Sequence, residues 1–72
     1  MGKRRDLVVI VGNIVSRLGS MGKTMKWLSQ ETGIPKGSIY SYATASAEIP
    51  STRLKKIADA LGCTVDELMK GV

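Results

Sequence analysis

The 72-residue chain predicts an all-α fold, a compact bundle of five short helices in one domain. Three observations carry this. Apolar residues recur at the three- and four-residue steps of a single helical face. The segments open on capping residues or proline, and most of them close on glycine. With 43% hydrophobic residues the chain can bury one core, but it is too short for a second domain or a nucleotide-binding sheet. Residues 6–72 therefore read as the domain, and residues 1–5 as a basic, flexible N-terminal arm.

The first helix is expected over Asp6 to Leu18, with Leu7, Ile10, Val11, Ile14, Val15 and Leu18 at helical spacing and Asp6 as its cap. The β-branched run Val8 to Val11 has strand character, but a strand would leave Ile14, Val15 and Leu18 unexplained. Gly19, Ser20 and Gly22 are expected to form a loop. Thr24 then caps a helix carrying Met25, Trp27 and Leu28, which ends at Gly33, a residue suited to a left-handed C-terminus. Pro35 fits the first position of a short helix on which Ile39 and Tyr42 share a face. Ala43 to Ile49, small and polar, reads as a loop. Pro50 and Ser51 open the fourth helix, where Leu54, Ile57, Ala58 and Leu61 repeat until Gly62. Thr64 and Glu67 have the spacing of a capping box, so a fifth helix starts there and ends near Gly71.

Composition narrows the function classes. The net charge is +5, and it is unevenly placed: residues 1–56 hold ten basic and three acidic side chains, residues 57–72 one basic and three acidic. Such an excess suits a polyanion partner as well as a solvated surface. A single cysteine, Cys63, excludes an internal disulfide, and the lack of histidine excludes the usual zinc spacings. No cofactor or metal is expected. Lys3, Arg4 and Arg5 precede an apolar run as in a secretory signal, but Gly12 and Asn13 interrupt it without a cleavage site, and it is far too short to span a membrane. The chain thus reads as cytoplasmic, in a bacterial cell or a phage-infected host, with no membrane partner. Gly22-Lys23-Thr24 matches only the end of a P-loop, whose required upstream glycine is replaced by Arg17. No nucleophile and base can be paired, so neither an enzyme nor a small-molecule substrate is expected.

The informative window is Met25 to Thr44, two helices separated by a turn of about three residues. Leu28 and Ile39 face inward from the two helices, and Ser29 is small where the helices cross closely. Gly33 supplies the backbone angle of the turn, and Ile34 plugs its corner. Trp27 and Met25 finish the core or its rim, and Cys63 follows a helix as a small apolar residue.

This window resembles the helix-turn-helix of the phage repressor and Cro-like family. Leu28, Ser29, Gly33, Ile34, Ser38 and Ile39 match, and beyond them Pro50-Ser51, Ile57-Ala58-Asp59-Ala60-Leu61-Gly62 and Val65-Asp66-Glu67-Leu68. The resemblance spans about Ile10 to Gly71 and implies a lambda-repressor-like DNA-binding domain. Several positions depart from the family pattern. Met25 stands where a phosphate-clamping Gln is common. Leu18 and Ala43 stand where an Arg–Glu pair is often buried, an exchange that costs little stability. Ala43-Thr44-Ala45 replaces the usual Glu-Asn-Gly.

By resemblance, the helix Pro35 to Tyr42 enters the major groove of double-stranded DNA and reads bases with Lys36, Gly37, Tyr40 and Ser41. Lys36 can donate to guanine O6 and N7, and Ser41 to several base edges. Gly37 has no reading side chain and suits close approach, while Tyr40 can stack on a sugar or bond a phosphate. Phosphate contacts are implied for Lys23, Thr24, Lys26, Ser38, Thr44, Ser46, Ser51 and Arg53; such contacts set position rather than sequence. The implied protein is a transcriptional regulator, a phage- or prophage-type repressor, bound as a homodimer to a palindromic operator. The alternative is a protein-interaction module on the same fold, antitoxin-like or an anti-repressor subunit. An inward face of Ile10, Ile14 and Leu18 would leave part of Val8, Val9 and Val11 to form an interface.

Overall fold

The computed structural model describes the backbone of residues 2–71 and the side chains of residues 6–71. Five helices follow in order: α1 Gly2–Met21, α2 Met25–Thr32, α3 Lys36–Ala43, α4 Ser51–Ala60 and α5 Val65–Leu68. Among the described residues there is no strand. The radius of gyration, 10.9 Å, is close to the roughly 11 Å expected of a compact chain this long.

The core is built around α2, which packs against both α3 and α4, while α1 lies across α3 and α5. Leu28, Ile39, Ile57 and Leu68, one from each of α2 to α5, are its most deeply buried large side chains. Full burial of each contributes about 1.5–3 kcal/mol relative to exposure. Ile14 and Leu18 of α1 join them, with Ile34, Tyr42, Leu54, Ala58 and Leu61. Met25, Trp27 and Cys63 pack against this cluster as partly buried rim residues, as expected.

The first helix departs from expectation at both ends. It begins at Gly2, so Asp6 lies inside it and does not cap it. The backbone of residues 2–5 forms its first turn, and the side chains of Lys3, Arg4 and Arg5 lie outside the described residues. At the other end Gly19 and Ser20 are helical. Only at Gly22, with φ +67°, does the backbone turn left-handed. Its N–H then bonds Gly19 O (3.2 Å) while Lys23 N–H bonds Leu18 O (2.9 Å), the paired bonds of a Schellman end. Glycine weakens a helix interior without stopping it, so the helix runs through Gly19 and closes at Gly22.

The buried stripe of α1 is also displaced. Leu7, Val11, Ile14 and Leu18 point inward, so Val11 belongs to the core and not to an outer face. Ile10 is partly buried against the core, and Val9 lies beside Gly71, where an added Cβ would come within 3.4 Å of its Cγ1. Val8 and Val15, seven residues apart, are 55% and 46% exposed.

Two side chains of α1 tie it to the C-terminal end. Asn13 Nδ2 donates to Leu68 O at 2.7 Å and to Lys70 O at 3.0 Å, satisfying carbonyls that α5 leaves open. Arg17 pairs with Glu67 at 2.8 Å. The Thr64–Glu67 capping box is present in both directions. Glu67 has its carboxyl held below the usual glutamate range, chiefly by the Thr64 backbone N–H and further by Arg17. Partial burial pushes the Cys63 thiol up.

Candidate nucleic-acid interface

The turn between α2 and α3 is locked by hydroxyls. Ser29 Oγ donates to Ile34 O at 2.6 Å, and Ile34 N–H donates to Thr32 Oγ1 at 3.3 Å. Thr32 Oγ1 in turn donates to Leu28 O at 2.7 Å. Both backbone groups of Ile34 are thereby satisfied by α2 side chains, while its own side chain is 4% exposed. Ser29 is small, as the close crossing requires, and its hydroxyl is a clasp as well. Gly33 ends α2 with φ +73°, its N–H returning to Ser29 O at 3.0 Å. That conformation needs glycine for its backbone freedom alone, because an added Cβ would meet nothing within 4 Å.

Pro35, extended at φ −54° and ψ 141°, precedes the first residue of α3, Lys36, so the helix starts one residue later than expected and includes Ala43. The two sides of α3 differ sharply. Ile39 and Tyr42 are buried at 1% and 7% exposure, whereas Lys36, Gly37 and Tyr40 are exposed and Ser41 half-exposed. These four positions form one outward strip because helical neighbours lie three and four residues apart. Lys36 Nζ stands 5.9 Å from the Tyr40 ring centroid, within cation–π range. Gly37 faces open space: a Cβ there would meet nothing within 4 Å. Nothing among the described residues therefore accounts for a glycine in this turn, a residue of lower helix propensity than alanine.

Around the strip the other expected residues divide into separate groups. Thr24 caps α2, its Oγ1 accepting Trp27 N–H at 3.2 Å, and Lys23 Nζ lies 5.4 Å from the Trp27 ring centroid. Lys26 is exposed on the first turn of α2. Past α3, Thr44 Oγ1 sits 2.7 Å from Ser46 Oγ and also reaches Tyr40 O at 3.1 Å. Ala45 between them has φ +57°, the left-handed conformation usually given to glycine. Ser38 is half-exposed on α3, and Ser51 is exposed as the first residue of α4. Arg53, in the same turn as Ser51, is half-buried and donates from Nη1 to Tyr42 Oη at 3.0 Å. Among the described residues, the only basic side chain paired with a carboxylate is Arg17. Lys23, Lys26, Lys36 and Arg53 all keep uncompensated charge.

Among the contacts that escape a reading of the sequence alone are Lys23 on Trp27 and Arg53 on Tyr42. Only the second left a trace there, since a tyrosine at a core position carries a hydroxyl that must find a partner. Among the described residues no group of three or more His, Cys, Asp or Glu side chains could hold a metal. No helix there is long and apolar enough to cross a membrane.

A family model, the Cro/C1-type HTH DNA-binding domain, matches residues 13–72. No curated protein and no solved structure matches the chain.

Proposed function

The chain belongs to the Cro/C1-type helix-turn-helix DNA-binding family, and from that premise we propose that it is a sequence-specific transcriptional repressor of phage or prophage type. It acts in the cytoplasm of a bacterial cell or an infected host, and it places α3 in the major groove of an operator. The observation that carries this reading is the outward strip of α3: Lys36, Gly37, Tyr40 and Ser41 opposite a fully packed inner face. A helix presenting donors and a bare glycine to solvent has the chemistry to meet base edges. Lys36 has the donors to reach guanine O6 and N7, and Ser41 a hydroxyl that suits several base edges. Gly37 lets the helix approach closely, and Tyr40, with Lys36 over its ring, lies along a sugar or phosphate.

Phosphates are held by Lys23, Thr24 and Lys26 at the start of α2, by Ser38, by the Thr44–Ser46 hydroxyl pair, and by Ser51 and Arg53 at the start of α4. These contacts supply affinity that falls steeply with salt. The basic residues Lys3, Arg4 and Arg5 add charge at the N-terminal end of α1. The repressor binds as a homodimer on a palindrome whose half-sites lie about one helical turn apart.

A second reading, an interaction module that binds a protein, draws on one observation, the exposed Val8 and Val15 on one side of α1. Selection of bound sequences from a random duplex pool separates the two. Enrichment of a palindromic motif supports the repressor, and failure to enrich any motif, with no salt-dependent duplex binding, supports the interaction module.

A further inference from the structure

We propose that Tyr42 is a positioning residue for DNA binding: its hydroxyl holds the Arg53 guanidinium in place as a preset clamp for a backbone phosphate. This rests on the DNA-binding reading above and extends it to a core residue.

Tyr42 lies on the buried side of α3 and is 7% exposed, so its ring packs as a phenylalanine ring would. The hydroxyl is therefore an addition to the packing, and a hydroxyl near the core must be hydrogen-bonded or it destabilises the fold. Its partner is Arg53 Nη1 at 3.0 Å, across the loop from the end of α3 to the start of α4. Arginine is an unusual choice if holding two helices together were the whole purpose. One of its five donors is used and its positive charge is not offset, for among the described residues no carboxylate lies within 4.0 Å of it.

The result is a planar fork, half-buried and oriented from one side, with donors left over and full charge. That is the state in which an arginine best takes an oxyanion bidentately, since its side chain is already ordered before the anion arrives. The fork is tethered to α3, the helix that carries Lys36 and Ser41. A phosphate bound by Arg53 would thus be fixed relative to the reading face. The hydroxyl of Tyr42 links affinity for the backbone to the seating of α3 over the bases.

The test measures duplex affinity across a series of salt concentrations, with thermal unfolding in parallel, for the full chain and its Tyr42→Phe, Arg53→Ala and doubly substituted forms. The probes are the selected operator and a short generic duplex. Arg53→Ala is expected to weaken binding to both duplexes and to lower the slope of log affinity against log salt by about one. Tyr42→Phe is expected to weaken both by about 3- to 10-fold and to have no further effect once Arg53 is alanine. Arg53→Lys, which keeps the charge and loses the fork, should match Tyr42→Phe and serves as a second arm if Tyr42→Phe folds poorly.

Tyr42→Phe binding as tightly as the parent overturns the proposal, as does an undiminished Tyr42→Phe loss in the Arg53→Ala background, since Tyr42 would then act through the fold. So does Arg53→Lys with parental affinity. If the parent binds duplex DNA with the usual salt dependence while these variants fail the prediction, only the clamp is wrong. If the parent shows no such binding, the DNA-binding reading fails and the clamp fails with it.

Discussion

Replacing Ala45 with glycine is expected to stabilise this protein, and the helix ends supply the reasoning. Three helices end with the same pair of backbone bonds. At α1 they are Gly22 N–H to Gly19 O and Lys23 N–H to Leu18 O; at α4, Gly62 N–H to Asp59 O (3.2 Å) and Cys63 N–H to Ala58 O (3.0 Å). At α3 they are Ala45 N–H to Tyr42 O (2.9 Å) and Ser46 N–H to Ser41 O (2.8 Å). The motif requires a left-handed residue, and φ is +67° at Gly22, +70° at Gly62 and +57° at Ala45. A Cβ in that conformation costs about 1–2 kcal/mol, and the greater freedom of glycine in the unfolded chain returns about 0.4–1 kcal/mol of that. Ala45→Gly should therefore gain about 0.5–1 kcal/mol, or roughly 2 to 8 °C in Tm for a domain this size. Gly62→Ala, the reverse change in an equivalent geometry, should lose a similar amount. Thermal unfolding followed by circular dichroism measures both. An Ala45→Gly protein with unchanged or lower Tm beside a destabilised Gly62→Ala would refute the idea that α3 ends under strain.

Three further expectations follow from the site and its supports. Lys36→Ala and Ser41→Ala should each relax sequence preference and cost roughly 1–3 kcal/mol at the operator; unchanged selectivity in a binding titration of both variants would remove α3 as the reader. Ser29→Ala should destabilise by about 1 kcal/mol through loss of the bond to Ile34 O, and Ser29→Leu by about 1–3 kcal/mol through overpacking. Native Tm in both would show that the α2–α3 turn does not depend on this residue. Glu67 has a folded pKa below its unfolded value, so its contribution to stability is complete above the unfolded value near 4.3 and is lost as pH falls through the folded one. The Tm advantage of the parent over Glu67→Gln should accordingly be present at neutral pH and shrink under acid; an advantage independent of pH would contradict the Thr64 and Arg17 contacts.

Much of this architecture is decided locally, and so can be read from neighbouring residues. Thr24, Gly33, Gly62 and the Thr64–Glu67 box act within a turn of their own position, so each marks its helix end in the sequence as it does in space. Leu28, Ile34 and Ile39 are inward because the helix period and the turn admit nothing else. The outward strip Lys36, Gly37, Tyr40 and Ser41 follows from the same period once α3 is placed.

What tertiary structure alone decides are the matters on which local preferences are silent or nearly balanced. The choice of Val11 over Ile10 for the most buried face of α1 is one, because both are β-branched apolar residues and only the position of α3 and α5 against α1 tells them apart. Asn13 to the end of α5, Arg17 to Glu67 and Arg53 to Tyr42 join residues that sequence spacing does not relate. Ala45 is left-handed by the same logic. Nothing in an alanine asks for that conformation, and it is imposed by the route the chain must take from the end of α3 to the packed start of α4.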